Sequence, residues 1–81
     1  MKKYPLELIT WCDAESEATW AEPTAMDEWC KTLPIATELG WIYKENKTMI
    51  VLVSQMFSDG TVGNRTKIPK SLVKSRKKLR G

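Results

Sequence analysis

Histidine is missing from this sequence altogether, and cysteine occurs only at Cys12 and Cys30, outside any CxxC pair. The first absence removes the commonest general base and metal ligand, and the second leaves no thiolate set for zinc. No metal or cofactor is therefore expected. The two cysteines read as buried thiols in a reducing compartment, with a disulfide as the alternative. There is no glycine-rich phosphate loop. No apolar run is long enough to span a bilayer, and the opening Met1-Lys2-Lys3-Tyr4-Pro5 lacks the apolar stretch of a signal peptide. The expectation is a soluble intracellular protein with no membrane partner. Catalysis has little to stand on. Asp13, Glu15 and Glu17 offer oxygen ligands, but DAESE matches no calcium loop and lacks the glycine on which such loops turn. An enzyme is not expected, and Asp13 reads instead as a side-chain cap on the turn that ends the first strand.

Length sets the next bound. The chain has 81 residues, one domain spanning residues 1–81, with a core too small for stability without reinforcement. Without metal, self-association is the reinforcement left. The net charge of +3 conceals a segregation. Between residues 4 and 30 every charge is negative: Glu7, Asp13, Glu15, Glu17, Glu22, Asp27 and Glu28. From residue 60 onward every charge is positive: Arg65, Lys67, Lys70, Lys74, Arg76, Lys77, Lys78 and Arg80. The halves can neutralise each other, within the fold or head-to-tail between subunits, or the basic end can attract a polyanion.

What is abundant is β-forming sequence. Residues 40–56, GWIYKENKTMIVLVSQM, read as two strands joined by a polar turn, with Asn46 as the residue best suited to φ > 0. The second arm, TMIVLV, does not alternate, so both its faces should be covered, one by the core and one by a helix, the rest of a barrel or another copy. Leu6 to Cys12 alternates as a first strand, with Leu6, Leu8 and Thr10 on one face. An acidic loop follows, in which Trp20 reads as an anchor folding the loop onto the body. Thr24 is placed to cap a helix over residues 25–32, with Asp27 at the capping-box position and Asp27 and Glu28 favoured by the helix dipole. Met26, Trp29, Cys30 and Leu33 form one apolar stripe, read as core cover. Pro34 stops that helix. Ser58-Asp59-Gly60 signals a turn, residues 61–68 a polar strand bulged at Gly63, Pro69 a kink or 3₁₀ turn, and residues 72–79 a closing strand before a frayed tail at Arg80 and Gly81.

One short helix inserted after the first of five short strands predicts a mainly β fold, a small five-stranded Sm/SH3-like barrel. The residues Thr10-Trp11, Asp13-Ala14, Ser16 and Trp20, then Gly40-Trp41-Ile42-Tyr43-Lys44-Glu45, Met49-Ile50-Val51-Leu52, Ile68-Pro69-Lys70, Val73-Lys74 and Leu79 resemble a family of small phage-encoded proteins with an Sm-like barrel. That resemblance implies a homo-oligomer, a ring or other closed assembly made by pairing edge strands, in the cytoplasm of an infected bacterial host. Unlike true Sm proteins, this chain carries its helix after the first strand and has no IRG-type loop before the last, so the Sm RNA-binding residues are not carried over.

Four tryptophans and two tyrosines are many for this length, and a small barrel cannot hide all of them. Aromatic faces beside cations are what nucleobases and phosphates require. The candidate ligand-binding residues are Trp11, Trp41 and Tyr43 at strand edges or near the turn, Asn64, Arg65, Thr66 and Lys67 as donors and charge, and Lys70. For each aromatic, core packing is the competing reading. For the basic tail, the competing reading is a solvated face or a partner for the acidic loop. The function these residues point to is non-catalytic binding of nucleotide or nucleic acid. The ligand is either single-stranded RNA or DNA, or a small cyclic nucleotide held between subunits as phage sponge proteins hold defence signals. The alternative is a structural or host-protein interaction module.

Overall fold

The computed structural model describes residues 4–14 and 16–80, with the side chain of Arg80 left aside. The readings placed on residues 1–3, Glu15 and Gly81 lie outside the described residues. Five antiparallel strands form one sheet: β1 (Leu6–Cys12), β2 (Ile35–Glu45), β3 (Met49–Met56), β4 (Val62–Pro69) and β5 (Val73–Arg80), in the order β4-β3-β2-β1-β5. A single short helix, α1 (Pro23–Trp29), stands between β1 and β2. The fold is mainly β, as the alternation and turn signals predict.

Its core is drawn from every strand. Ile9 and Trp11 of β1, Ile42 of β2, Ile50 and Leu52 of β3 and Ile68 of β4 form one buried cluster, with Ala36 and Val73 packed against it. Strand pairing explains the set. Ile9 lies opposite Glu38, Trp11 opposite Ala36, Leu52 opposite Thr66 and Ile50 opposite Ile68, and directly paired side chains share a face. Each fully buried isoleucine or leucine contributes about 1.5–3 kcal/mol, so a cluster this small carries most of the fold's hydrophobic stabilisation. The first strand therefore turns the face bearing Glu7, Ile9 and Trp11 inward. Leu6, Leu8 and Thr10 share the opposite face and are half-buried.

The sheet curls hard around this cluster. At Gly40 a Cβ atom would stand 2.6 Å from the Val53 carbonyl oxygen and 2.9 Å from Leu52 Cγ, so β2 approaches β3 more closely than any other residue allows. Above that gap, Glu38 reaches over β3 to accept a 3.2 Å hydrogen bond from Thr66 Oγ1. Pro69 ends β4, and a 3₁₀ turn (Lys70–Leu72), tied by Lys70 N–H donating to the Thr48 carbonyl at 2.8 Å, passes the chain to β5. The proline kink falls where the sequence puts it. Because β4 and β5 are opposite edges of the sheet yet only one short turn apart, the edges converge at this end. They are not hydrogen-bonded to each other, and the sheet is not closed as a barrel.

Several local expectations change. Asn46 does not take positive φ; its side-chain oxygen instead accepts from the Thr48 and Met49 amides, both at 2.9 Å, and holds the β2–β3 turn as an Asx turn. Among the described residues the one non-glycine at positive φ is Asn64, at 50°, and the bulge expected at Gly63 does not form, since β4 pairs with β3 in one unbroken register. The helix starts at Pro23, not at Thr24's side chain: proline's preset φ suits the first helical position and needs no cap, and Glu22 supplies the N-cap without a side-chain bond. No acidic residue lies in its first turn. Asp13 is tied through its backbone N–H, which donates to the Pro34 carbonyl at 2.9 Å. Both cysteines are free, Cys12 half-buried and Cys30 exposed rather than buried.

The largest change concerns the connection from β1 to β2. Helix α1 buries none of its residues. Met26, Trp29 and Leu33 are exposed, and Trp20 is 101% exposed instead of anchoring its loop. The amphipathic stripe covers no core in this chain, because the strands fill the cluster among themselves. Every described residue in 13–34 is exposed, so this segment stands off the sheet as an arm.

Candidate functional site

The two faces of the sheet carry different chemistry. On the core face, at the rim where the edges converge, a charge network closes the end of the sheet. The Arg76 guanidinium donates from Nε to Glu7 Oε1 at 2.8 Å and from Nη2 to Glu7 Oε2 at 3.0 Å. It also donates from Nη1 to Glu45 Oε2 at 2.9 Å and from Nη2 to Glu45 Oε1 at 3.1 Å. Lys70 Nζ adds a 2.7 Å pair with Glu45 Oε2. Hydrogen bonding to Arg76 first, and to Lys70 second, pulls the Glu45 carboxyl from 4.5 down to about 2. Hydrogen bonds to Glu45 first, and to Glu7 second, raise the Arg76 pKa further above its ordinary value. Glu7 of the acidic stretch thus meets Arg76 of the basic one within the fold, and Lys70 is paired with Glu45.

The other face gathers aromatics and cations. Trp41 lies opposite Val53, Val53 opposite Arg65 and Val51 opposite Lys67, so these side chains share that surface. A register shift between Ile42 and Lys44 inserts Tyr43 as an extra residue in β2 and sets its ring beside Val51. The Tyr43 ring stacks on Tyr4 with centroids 5.2 Å apart and planes at 29°. Tyr43, Val51, Val53, Val62, Arg65 and Lys67 line a shallow concavity of about 700 Å³. Its floor is valine, one wall is a tyrosine face and the opposite wall carries two cations. Neither Arg65 nor Lys67 has an ion pair among the described residues. Across the sheet, Lys77 lies opposite Leu8 and adds a cation at the β5 edge of the same face.

Of the eight residues that the sequence nominates, Tyr43, Arg65 and Lys67 line the concavity, and Trp41 lies half-buried on the same face. Four do not join them. Trp11 is a core residue, 9% exposed, because β1 turns that side inward; its Nε1, like Glu38 Oε2, is buried with no hydrogen-bond partner among the described residues. Thr66 faces the core side and donates to Glu38. Lys70 belongs to the Glu45 network. Asn64 is exposed but lies outside the lining, at positive φ within β4. Sequence reasoning missed the valine floor and Lys77. Both follow from strand register, which no local pattern encodes.

The opposite face of β3 holds Val53, 1% exposed, with Met49 and Val51 half-buried beside it. Among the described residues no group of histidine, cysteine and carboxylate side chains could hold a metal ion, and no helix is long and apolar enough to cross a membrane. Comparison with protein-family models, curated proteins and solved structures gives no match.

Proposed function

We propose that this chain is a non-catalytic binder of a phosphate-bearing ligand, a nucleotide or a single-stranded nucleic acid, on the sheet face that carries Tyr43, Arg65 and Lys67. The observation behind the reading is the concavity itself: an apolar floor, an exposed ring and two cations with no ion pair among the described residues, on one surface. A base stacked on an exposed aromatic ring gains about 1–3 kcal/mol, and the guanidinium and ammonium groups lining the same concavity suit its phosphate. A rigid sheet presents these groups without an ordering cost. Arg65 supplies a planar donor fork for two phosphate oxygens, and Lys67 a point charge.

The wider reading keeps the phage-encoded Sm-like family as its frame. One turn separates β4 from β5, so the sheet is one strand pairing short of a barrel, and its two edges are free to pair with neighbouring copies in a ring. A phage protein of this kind would act in the cytoplasm of its bacterial host.

The test is fluorescence anisotropy of a labelled single-stranded oligonucleotide over a range of salt, beside calorimetry with a cyclic dinucleotide. Binding to a strand predicts a log–log salt slope of about −0.7 for each phosphate contacted. A pocketed small nucleotide predicts saturable heat with weaker salt dependence. Neither signal in either experiment would sink the reading and leave a purely structural or host-protein interaction module.

A further inference from the structure

The projecting arm has no role in the fold or in the candidate site. It carries Asp13, Glu15, Glu17, Glu22, Asp27 and Glu28 against one cation, Lys31, which is paired with Glu28 at 2.9 Å. Met26, Trp29 and Leu33 recur at helical spacing and are 39%, 41% and 54% exposed, so an apolar stripe lies open among carboxylates. The cationic concavity has the inverse pattern: valines at its centre, and Arg65 and Lys67 at its side. The arm leaves and rejoins the sheet at Cys12 and Ile35, whereas the concavity flanks Tyr43 near the far end of β2, about 26 Å along that strand. No described residue of the arm lines this concavity, so the arm does not cover it within its own chain. A second copy's arm can.

We propose that the helical arm of one copy docks on the Val51–Val53–Arg65–Lys67 face of another copy. Trp29 and Met26 sit against Val51 and Val62, the valines of the face left half-buried, and Asp27 and Glu22 face Arg65 and Lys67. The occupant is fixed by complementarity of both kinds at once: an apolar stripe flanked by carboxylates meets an apolar floor flanked by cations, all within one sequence. The contact joins two different surfaces, so it builds a reciprocal pair by exchange of both arms, or a ring when each arm passes to the next copy. It also covers the second face of β3, whose composition calls for cover on both sides. The arm and a ligand would compete for this one face, so docking is tested apart from ligand binding, by the mass measured without nucleic acid.

The experiment is sedimentation velocity of the full chain, cleared of nucleic acid, as a function of concentration. Three samples are compared: the unaltered chain, an arm variant (Met26→Ser with Trp29→Ser) and a face variant (Arg65→Glu with Lys67→Glu). All the altered residues are exposed or rim residues, and circular dichroism confirms folding of each. The unaltered chain self-associates, and each variant does so at least about thirtyfold more weakly, the scale of losing a tryptophan anchor. Mixing the two variants restores a complex of two chains, because the arm of the face variant meets the intact face of the arm variant. A monomer at every concentration, self-association of unchanged strength in the arm variant, or a mixture that stays monomeric would each overturn the proposal.

Discussion

Arg76 and Glu45 meet through two parallel hydrogen bonds, Nη1 to Oε2 at 2.9 Å and Nη2 to Oε1 at 3.1 Å, while the same guanidinium grips Glu7 on its other side. One side chain of the last strand thereby ties β5 to both β1 and β2 at the end where the sheet edges converge. Glu7 is only 8% exposed, so its charge is tolerable there because Arg76 answers it. Arg76→Ala leaves that carboxylate buried and unpaired, and should cost about 3 kcal/mol in urea unfolding. The double change Glu7→Leu with Arg76→Met removes both charges and should cost less than Arg76→Ala alone. A double variant weaker than the single one would mean that the network does more than neutralise Glu7.

Acid should weaken the fold in a defined window. The Glu45 carboxyl is held at about 2 in the folded chain against an ordinary 4.5, a depressed value. A depressed carboxylate contributes its stabilisation fully above the unfolded pKa and loses it as pH falls through the folded one. The urea midpoint should therefore decline as pH falls from about 4.5 toward about 2. In Glu45→Gln the decline over that window should be shallower, with lower stability at neutral pH. Equal slopes in the two proteins would show that Glu45 is not the group responsible.

Glycines at two positions make a paired test of the curl. Gly40→Ala drives a methyl to 2.6 Å from a backbone oxygen, which can move only if β2 and β3 separate, so about 3 kcal/mol of destabilisation or a failure to fold is expected. Gly63→Ala meets only the end of the flexible Gln55 side chain at 3.0 Å, and should cost under about 1 kcal/mol. Thermal unfolding of both variants checks the order; a reversed order would remove Gly40 as the point on which the sheet bends.

The strands were legible because β3 is apolar from Met49 to Val53 and because Pro69 blocks a ladder bond. Convergence of Tyr43, Arg65 and Lys67 was legible too, since aromatic and basic residues flank the same hairpin. Trp11 was not. The segment LELITWC is half apolar on either face, and only pairing with Ala36 and Val73 decides which one turns inward. Lys70 was hidden for a similar reason: a run of cations does not say which member finds Glu45. The Met26–Trp29–Leu33 spacing announces that a face wants cover but cannot say whether its own chain provides it. That distinction depends on the arm's direction, which is a property of the assembled sheet.

The most direct measurement compares oligonucleotide affinity and thermal unfolding in the unaltered chain and in Arg65→Ala with Lys67→Ala. Both side chains are exposed and outside the core cluster, so binding should be lost while the unfolding temperature, measured at a concentration where both proteins are monomeric, barely moves. Binding that survives in the double variant, or a fall in stability as large as the fall in affinity, would contradict the proposed function.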